Sequence, residues 1–181
     1  MPTYICLLRG INVSGQKRIR MAEWKASLEA LGFEDVRTYL QSGNTVFGAA
    51  AAAPEATASA VKAGIAKDFG FHVEVLVLSR SGINRIADSN PLFPRLGTDK
   101  TLFHATFLFQ PVSKGDVEKL KLPAQAGEKV VGAGRVIYLY CPHGYGRTKL
   151  NNTFFEKALG VPATTRNWRT VLALKSLCSE L

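Results

Sequence analysis

The constraint that most limits what this chain can fold into is an order of elements that it runs through twice. In the first pass, the apolar run Tyr4–Leu8 predicts a short buried strand. A helix follows from about Met21, with Trp24, Leu28 and Leu31 on one face and Gly32 placed to end it. Val36–Gln41 and Asn44–Phe47 then predict a hairpin around Ser42-Gly43, where glycine supplies the positive φ of a tight turn. Pro54 opens a second helix, striped by Ala58, Val61, Ile65 and Phe69 and ended by Gly70. His72–Leu78 reads as a strand, and a short helix through Ile83 and Ile86 stops before Asn90-Pro91.

The second pass keeps the order. Phe103–Phe109 predicts a strand, and a short helix runs around Val117 and Leu120. Lys129–Val131 and Val136–Cys141 form a hairpin about Gly132 and Gly134. A helix from Asn151 or Asn152 carries Phe154, Phe155, Ala158 and Leu159 to Gly160, an extended piece covers Ala163–Arg166, and a last helix carries Val171, Leu172 and Leu174. The echo is closest between Lys67-Asp-Phe-Gly-Phe71 and Lys157-Ala-Leu-Gly-Val161. Strand, helix, hairpin, helix, strand is the order of the split βαβ unit. The expected fold is therefore α+β, with two tandem ferredoxin-like (βαββαβ) repeats that each carry an added helix. Pro91, Pro94 and Gly97 break the chain between them, so the repeats are expected over 1–95 and 96–181, packed as one compact unit.

With 46% hydrophobic residues in 181, the chain can bury a core without disulfide or metal staples. Cys6, Cys141 and Cys178 are an odd, scattered set that fits reduced thiols better than a secreted framework. The apolar run at the N-terminus has no basic leader and is too short for a signal peptide, and no stretch is long enough to span a bilayer. A cytoplasmic protein with no membrane partner is the expectation. The net charge of +9 is unevenly placed, at +2 over residues 1–90 and +7 over 91–181. That imbalance points to an anionic ligand or nucleic acid as partner.

Motifs for common chemistries are absent from the sequence. His72, His104 and His143 are dispersed, and no spacing offers a metal site, so neither a metal nor a cofactor is expected. Cys141-Pro-His143 would be an activated thiol only if the imidazole reached the sulfur, which neighbouring positions rarely allow. Gly10 and Gly15 have Walker A spacing, but Gln16 and Lys17 stand where Lys and Ser/Thr belong, which argues against a nucleotide-hydrolysing loop. The loop still gathers Arg9, Lys17 and Arg18 at a strand end, a weaker arrangement for an anion. Arg147 and Lys149 in Gly144–Lys149 lie just before a helix N-terminus, which favours a phosphate or carboxylate. Asn167 is placed to cap the last helix. Arg169 in its first turn opposes the dipole by about 0.3–1 kcal/mol, a cost that an anion gripped by Arg166 and Arg169 would offset.

Four stretches in order resemble the signatures of the domain of unknown function 1697 family: Leu7–Val13, Leu40–Phe47, Tyr145–Leu150 and Ala163–Leu172. The resemblance covers essentially the whole chain. It implies an α+β protein of two related repeats, mostly bacterial and cytosolic, and it carries no assigned activity, cofactor or catalytic residue. The chain departs from the family's first motif, with Ser14-Gly15-Gln16 in place of Gly-Gly-Lys and Arg20 in place of a usual proline.

The leading expectation is a non-enzymatic or unassigned binding protein for an anionic ligand, either nucleic acid or a phosphorylated small molecule. Its candidate site is Arg9, Asn12, Ser42, Asn44, Arg147, Lys149, Thr165, Arg166, Asn167 and Arg169, which equivalent strands of the two halves would bring together. Two alternatives stand beside it. One is a small-metabolite enzyme with Arg147 and Arg166 as clamps, and the other is a structural or interaction module in which the motifs only stabilise the repeat interface.

Overall fold

In the computed structural model, residues 1–181 are described apart from the side chain of Ala133. The elements are β1 (Thr3–Leu8), α1 (Met21–Ala30), β2 (Glu34–Tyr39), β3 (Asn44–Gly48), α2 (Pro54–Phe69), β4 (Val75–Ser79) and α3 (Arg80–Asp88). They continue with β5 (Phe103–Val112), α4 (Lys114–Glu118), β6 (Lys129–Tyr140), α5 (Asn152–Leu159), β7 (Ala163–Asn167) and α6 (Trp168–Ser179). The fold is α+β, and the chain forms two units, one of Met1–Arg85 with Ala173–Leu181 and one of Ile86–Leu172.

The first unit is built on a four-stranded antiparallel sheet in the order β2-β3-β1-β4. Tyr4, Cys6 and Leu8 alternate along β1 and pack in one core with Phe47, Val75 and Val77 from neighbouring strands, and with Trp24, Leu28, Val61 and Ile65 from α1 and α2. Trp24 fixes the position of α1, because its buried indole Nε1 donates to Thr45 Oγ1 on β3 at 2.8 Å. The two helices are joined by Ser27 Oγ, which donates to Asp68 Oδ2 at 2.6 Å. Along α2 the buried positions are Thr57, Val61, Gly64 and Ile65, so the inward face is turned slightly from the stripe of large residues. Gly64 lies under Leu31, where a Cβ would meet its Cδ1 at 3.1 Å, and a small residue there lets α2 approach. The strand expected from His72 begins only at Val75.

The second unit has the strand order β6-β5-β7, again antiparallel. Strand β6 is not straight. Four residues of extended strand span about 13 Å, yet a Cβ on Gly132 would lie 2.7 Å from the Val136 carbonyl oxygen and 2.8 Å from Ile137 Cα. The chain therefore reverses at Gly134, whose φ is +66°, and the two arms of β6 make this a sheet of four strands, as the hairpin pattern predicts. Leu108, Leu139, Cys141, Leu150, Phe155 and Ala163 form its core with Val117. The echoed glycines take the same conformation, with φ +76° and ψ +16° at Gly70 and φ +70° and ψ +21° at Gly160, each ending its helix in the left-handed region. No described helix is long and apolar enough to cross a membrane.

Candidate functional site

In the first unit the C-terminal end of β1 meets the β2–β3 turn and the start of β4, because Leu7 pairs with Asn44 and Leu8 with Val75. The loop from Arg9 to Arg20 crosses this sheet end. It narrows into a two-residue turn, Ser14 at φ +51° and Gly15 at φ +74°, closed by Gln16 N–H donating to the Val13 carbonyl at 3.0 Å. Positive φ at both central positions is the hairpin turn that suits strand twist, and it explains the glycine at 15.

Asn12 anchors the loop. Its Nδ2 donates to the Ile19 carbonyl at 3.0 Å and the Gln41 carbonyl at 2.8 Å, while its Oδ1 accepts from Ile19 N–H at 2.9 Å. The side chain thus ties the loop to the β2–β3 turn across 29 residues of sequence. That turn is held by buried Asn44, whose Nδ2 donates to the Tyr39 carbonyl and to Ser42 Oγ, both at 2.9 Å. Gly43 fits beneath Leu8, with φ +80° and room for no Cβ, which would lie 2.7 Å from Leu8 Cβ. Lys17 Nζ donates to the His72 carbonyl at 2.9 Å, so one of the loop's cations ties it to the segment before β4.

Between the loop and α1 lies an open groove of about 820 Å³ lined by Asn12, Gly15, Arg18, Ile19, Arg20, Glu23 and Gln41. Arg20 occupies the N-cap position of α1, and among the described residues no side chain caps that terminus. A helix N-terminus carries about half a unit of positive charge on its unsatisfied N–H groups. Arg20 also faces Glu23 at 3.7 Å across one turn of exposed surface, a loose pair of little energetic weight.

The second unit treats its polar residues differently. Side chains alternate along β7, so Thr165 and Asn167 lie on one face, and Thr164 and Arg166 on the other. The run Thr164–Asn167 does not present one surface. On the first face, Thr165 Oγ1 donates to Asn152 Oδ1 at 2.6 Å and shares a 2.8 Å hydrogen bond with Thr106 Oγ1. Asn167 caps α6 by accepting from Arg169 N–H at 2.9 Å, while its Nδ2 donates to the Thr101 carbonyl at 3.2 Å and to His104 Nε2 at 3.3 Å. That geometry leaves the proton of His104 on Nδ1, which meets no hydrogen-bond partner among the described residues. His104 is 6% exposed and stacks on Tyr145 at 4.6 Å between ring centroids. Burial drives its pKa down to about 4, so the ring is neutral near pH 7.

On the other face, Arg166 is buried and its Nη1 donates to Thr164 Oγ1 at 2.7 Å and to the Thr165 carbonyl at 3.0 Å. Arg169 is exposed, and its charge, after two hydrogen bonds from Thr101, helps hold the Asp99 carboxyl below its usual range. Arg147 and Lys149 are exposed in the loop before α5, whose N-terminus is already capped by Asn151 Oδ1 accepting from Phe154 N–H at 3.0 Å.

The thiol reading of Cys141-Pro-His143 is not supported. Burial, with the Glu128 carboxylate adding to it, pushes the Cys141 thiol up to about 11, and His143 Nε2 instead lies 2.9 Å from the Ala126 carbonyl. Among the described residues no three His, Cys, Asp or Glu side chains group closely enough to hold a metal ion.

Of the ten sequence-predicted residues, the first unit brings Arg9, Asn12, Ser42 and Asn44 to one sheet end, with Asn12 and Asn44 committed to local hydrogen bonds. The second unit holds Thr165 and Asn167 in its network, Arg166 on the opposite face, and Arg147, Lys149 and Arg169 at the surface. Sequence reasoning left Arg18, Arg20, Glu23 and Gln41 out of the site. The available signal was Arg20 itself, a residue without capping ability at a helix start where Ser, Thr, Asp or Asn is preferred.

A model of the family described as "Protein of unknown function (DUF1697)" matches residues 1–138. The fold is similar to that of a solved structure, conserved bacterial protein SP0830 from Streptococcus pneumoniae, at a TM-score of 0.73 and 22% sequence identity over 98% of each chain. No curated protein matches the chain.

Proposed function

Since the chain belongs to the DUF1697 family of proteins of unknown function, its role has to be read from its own side chains, and we propose that it binds an anionic ligand in the groove beside α1. The observation that carries this reading is the coincidence of Arg18, Arg20 and an N-terminus without a side-chain cap around one open volume of about 820 Å³. Helices α5 and α6, which also begin beside basic residues, have their N-termini capped by Asn151 and Asn167. Their N–H groups are partly satisfied already, so an anion gains less there. Arg9 lies at the same sheet end as the groove and adds to its positive potential.

The same reading assigns Asn12, Ser42 and Asn44 to holding the groove's walls, and leaves Arg147, Lys149 and Arg169 as exposed cations of the second unit, apart from this site. Thr165 and Asn167 fit a fastening role within the second unit better, because their polar atoms are engaged by Asn152, Thr106, Thr101 and His104. That is the specific observation in favour of a structural role for part of the motif set.

We further propose that residues 1–95 and 96–181 are tandem ferredoxin-like repeats with α3 and α6 as the added helices. What supports this is the strand order β2-β3-β1-β4 of the first sheet, matched in the second if the two arms of β6 stand for β2 and β3.

The binding reading is tested by titrating inorganic pyrophosphate into the full chain at low salt. A charge-assisted hydrogen bond contributes about 1.5–3 kcal/mol, so Arg18→Ala and Arg20→Ala are each expected to weaken binding by about ten- to a hundredfold. Affinity should also fall with added salt. Variants that bind as tightly as the parent chain, or a parent that binds nothing, would sink the proposal.

A further inference from the structure

We infer that the second unit carries a separate face for single-stranded nucleic acid, on the layer of loops and helices that covers one side of its sheet. This face lies outside the groove beside α1 and does not rest on the reading of that groove.

The layer is defined by its core. Val117 of α4, Leu120 after it, Tyr145, and Phe154, Phe155 and Leu159 of α5 pack in one cluster with Leu108, Leu139 and Ala163 from the three strands. These segments therefore cover the same sheet face. The two loops within the layer are also fastened to each other. Gln125 Nε2 donates to the Arg147 carbonyl at 2.9 Å, and His143 Nε2 lies 2.9 Å from the Ala126 carbonyl.

This layer sorts its charges by depth. Residues 114–159 hold four carboxylates. Glu128 is buried and accepts from Gln125 N–H at 2.8 Å, and Glu156 Oε1 accepts from Ala163 N–H at 2.9 Å, so both are used within the fold. Asp116 and Glu118 stay outside on α4, the first hydrogen-bonded by Ser113 Oγ at 2.6 Å and the second 3.5 Å from Lys114. The cations take the opposite course. Lys119, Lys121, Arg147, Lys149 and Lys157 are all exposed, and the last four pair with no carboxylate among the described residues. A surface that serves only solubility intersperses both signs. Cations outside with acids drawn inward make a field that attracts a polyanion, and net charge alone does not produce that sorting.

The elements that carry the cations select the kind of polyanion. Lys119, Lys121, Arg147 and Lys149 lie outside every α-helix and strand. Reading a duplex through its major groove takes a helix or a β-ribbon, which these loops do not offer. They do offer an aromatic ring. Tyr145 is partly exposed and is braced by His104, stacked at 4.6 Å between ring centroids. A braced ring beside free cations is the arrangement that holds a single strand, with a base on the ring and phosphates on Arg147 and Lys149.

The test is the fluorescence anisotropy of a labelled oligothymidylate of about 16 nucleotides, titrated with the full chain. Binding is expected at low salt, and it should weaken by about 0.7 log units per log unit of salt for each phosphate contacted. Arg147→Gln combined with Lys149→Gln should weaken binding about ten- to a hundredfold at low salt and reduce the salt slope by about 1.4. Lys25→Gln combined with Lys67→Gln removes the same charge from α1 and α2 and should leave affinity and slope unchanged. All four side chains are exposed, so neither pair of substitutions disturbs a core. Equal losses in the two double variants would mean that net charge alone holds the strand, and would overturn the inference. So would the absence of binding at low salt, or tighter binding of a duplex of the same length. A loss on Arg18→Ala and Arg20→Ala with none on Arg147→Gln and Lys149→Gln would overturn it as well, by putting the strand in the groove beside α1.

Discussion

Replacing Gly43 with alanine is expected to lower the melting temperature of the full chain by about 5–15 °C, on the scale of about 2–4 °C per kcal/mol for a chain of this size. Two costs combine at this position. The backbone sits at φ +80°, where a residue with a Cβ pays about 1–2 kcal/mol. The new methyl would also lie 2.7 Å from Leu8 Cβ and 2.9 Å from Ile11 Cδ1, and overpacking of a tight core costs about 1–3 kcal/mol. Neither neighbour can yield easily, because Leu8 and Ile11 are themselves buried. Moving the turn outward instead would break the bond from Leu8 N–H to the Gly43 carbonyl at 3.1 Å. Gly146→Ala is the control, since that glycine has no positive φ and an added methyl there would meet nothing within 4 Å. A Gly43→Ala chain that melts with the Gly146→Ala chain would show that the turn relaxes freely. The same variant should bind pyrophosphate less tightly, because the β2–β3 turn carries Gln41, one wall of the groove.

Acid should destabilise the protein through His104 by about 3 kcal/mol, from the pKa difference between the unfolded and folded chain. An unfolded histidine titrates near its ordinary value of 6.5, whereas burial lowers that of folded His104 to about 4. The folded state therefore resists protonation that the unfolded state accepts. Its stabilising contribution is complete above pH 6.5, declines as the pH falls below that value, and is lost as the pH passes through 4. His104→Phe keeps a ring against Tyr145 and removes the titration, along with the Nδ1 that has no partner. Denaturant unfolding at pH 7.5 and at pH 4 checks this: the variant should lose about 3 kcal/mol less than the parent chain between the two. An identical loss in both chains would mean that His104 is already protonated, or hydrated, in the folded state.

These two expectations differ in how far the sequence announces them. Gly43 belongs to the hairpin that the pattern around Ser42-Gly43 predicts, because turn chemistry is local and a positive φ needs glycine wherever it occurs. The capping of α6 by Asn167, the N-cap at Asn151, and the helix ends at Gly70 and Gly160 are legible for the same reason. His104 offers no such signal. Its depressed pKa follows from burial, its stack on Tyr145 and its contact with Asn167, which lie 41 and 63 residues away in sequence.

The candidate site divides in the same way. The polar run Thr164-Thr165-Arg166-Asn167 reads as one cluster, but a strand sends consecutive side chains to opposite faces, and the cluster exists only in one dimension. In Ala163–Asn167 the extended conformation is readable, while what each face meets is not. Conversely, Arg18 and Arg20 stand out less than the basic second half, because net charge weighs every cation alike. In the structure they gain weight from the uncapped start of α1 and from a loop that Asn12 fastens to Gln41.

The sequence by itself determined the order of elements, the helix ends, the tight turns and the family, since periodicity, capping and positive φ act over a few neighbouring residues. Only the tertiary structure decided which polar groups face one another: Asn12 with Gln41, Thr106 with Thr165, and His104 with Asn167 and Tyr145. Those pairings are set by strand register and by the packing of side chains far apart along the chain. They turned a set of polar residues into a fastened network in the second unit and an open, cationic groove in the first.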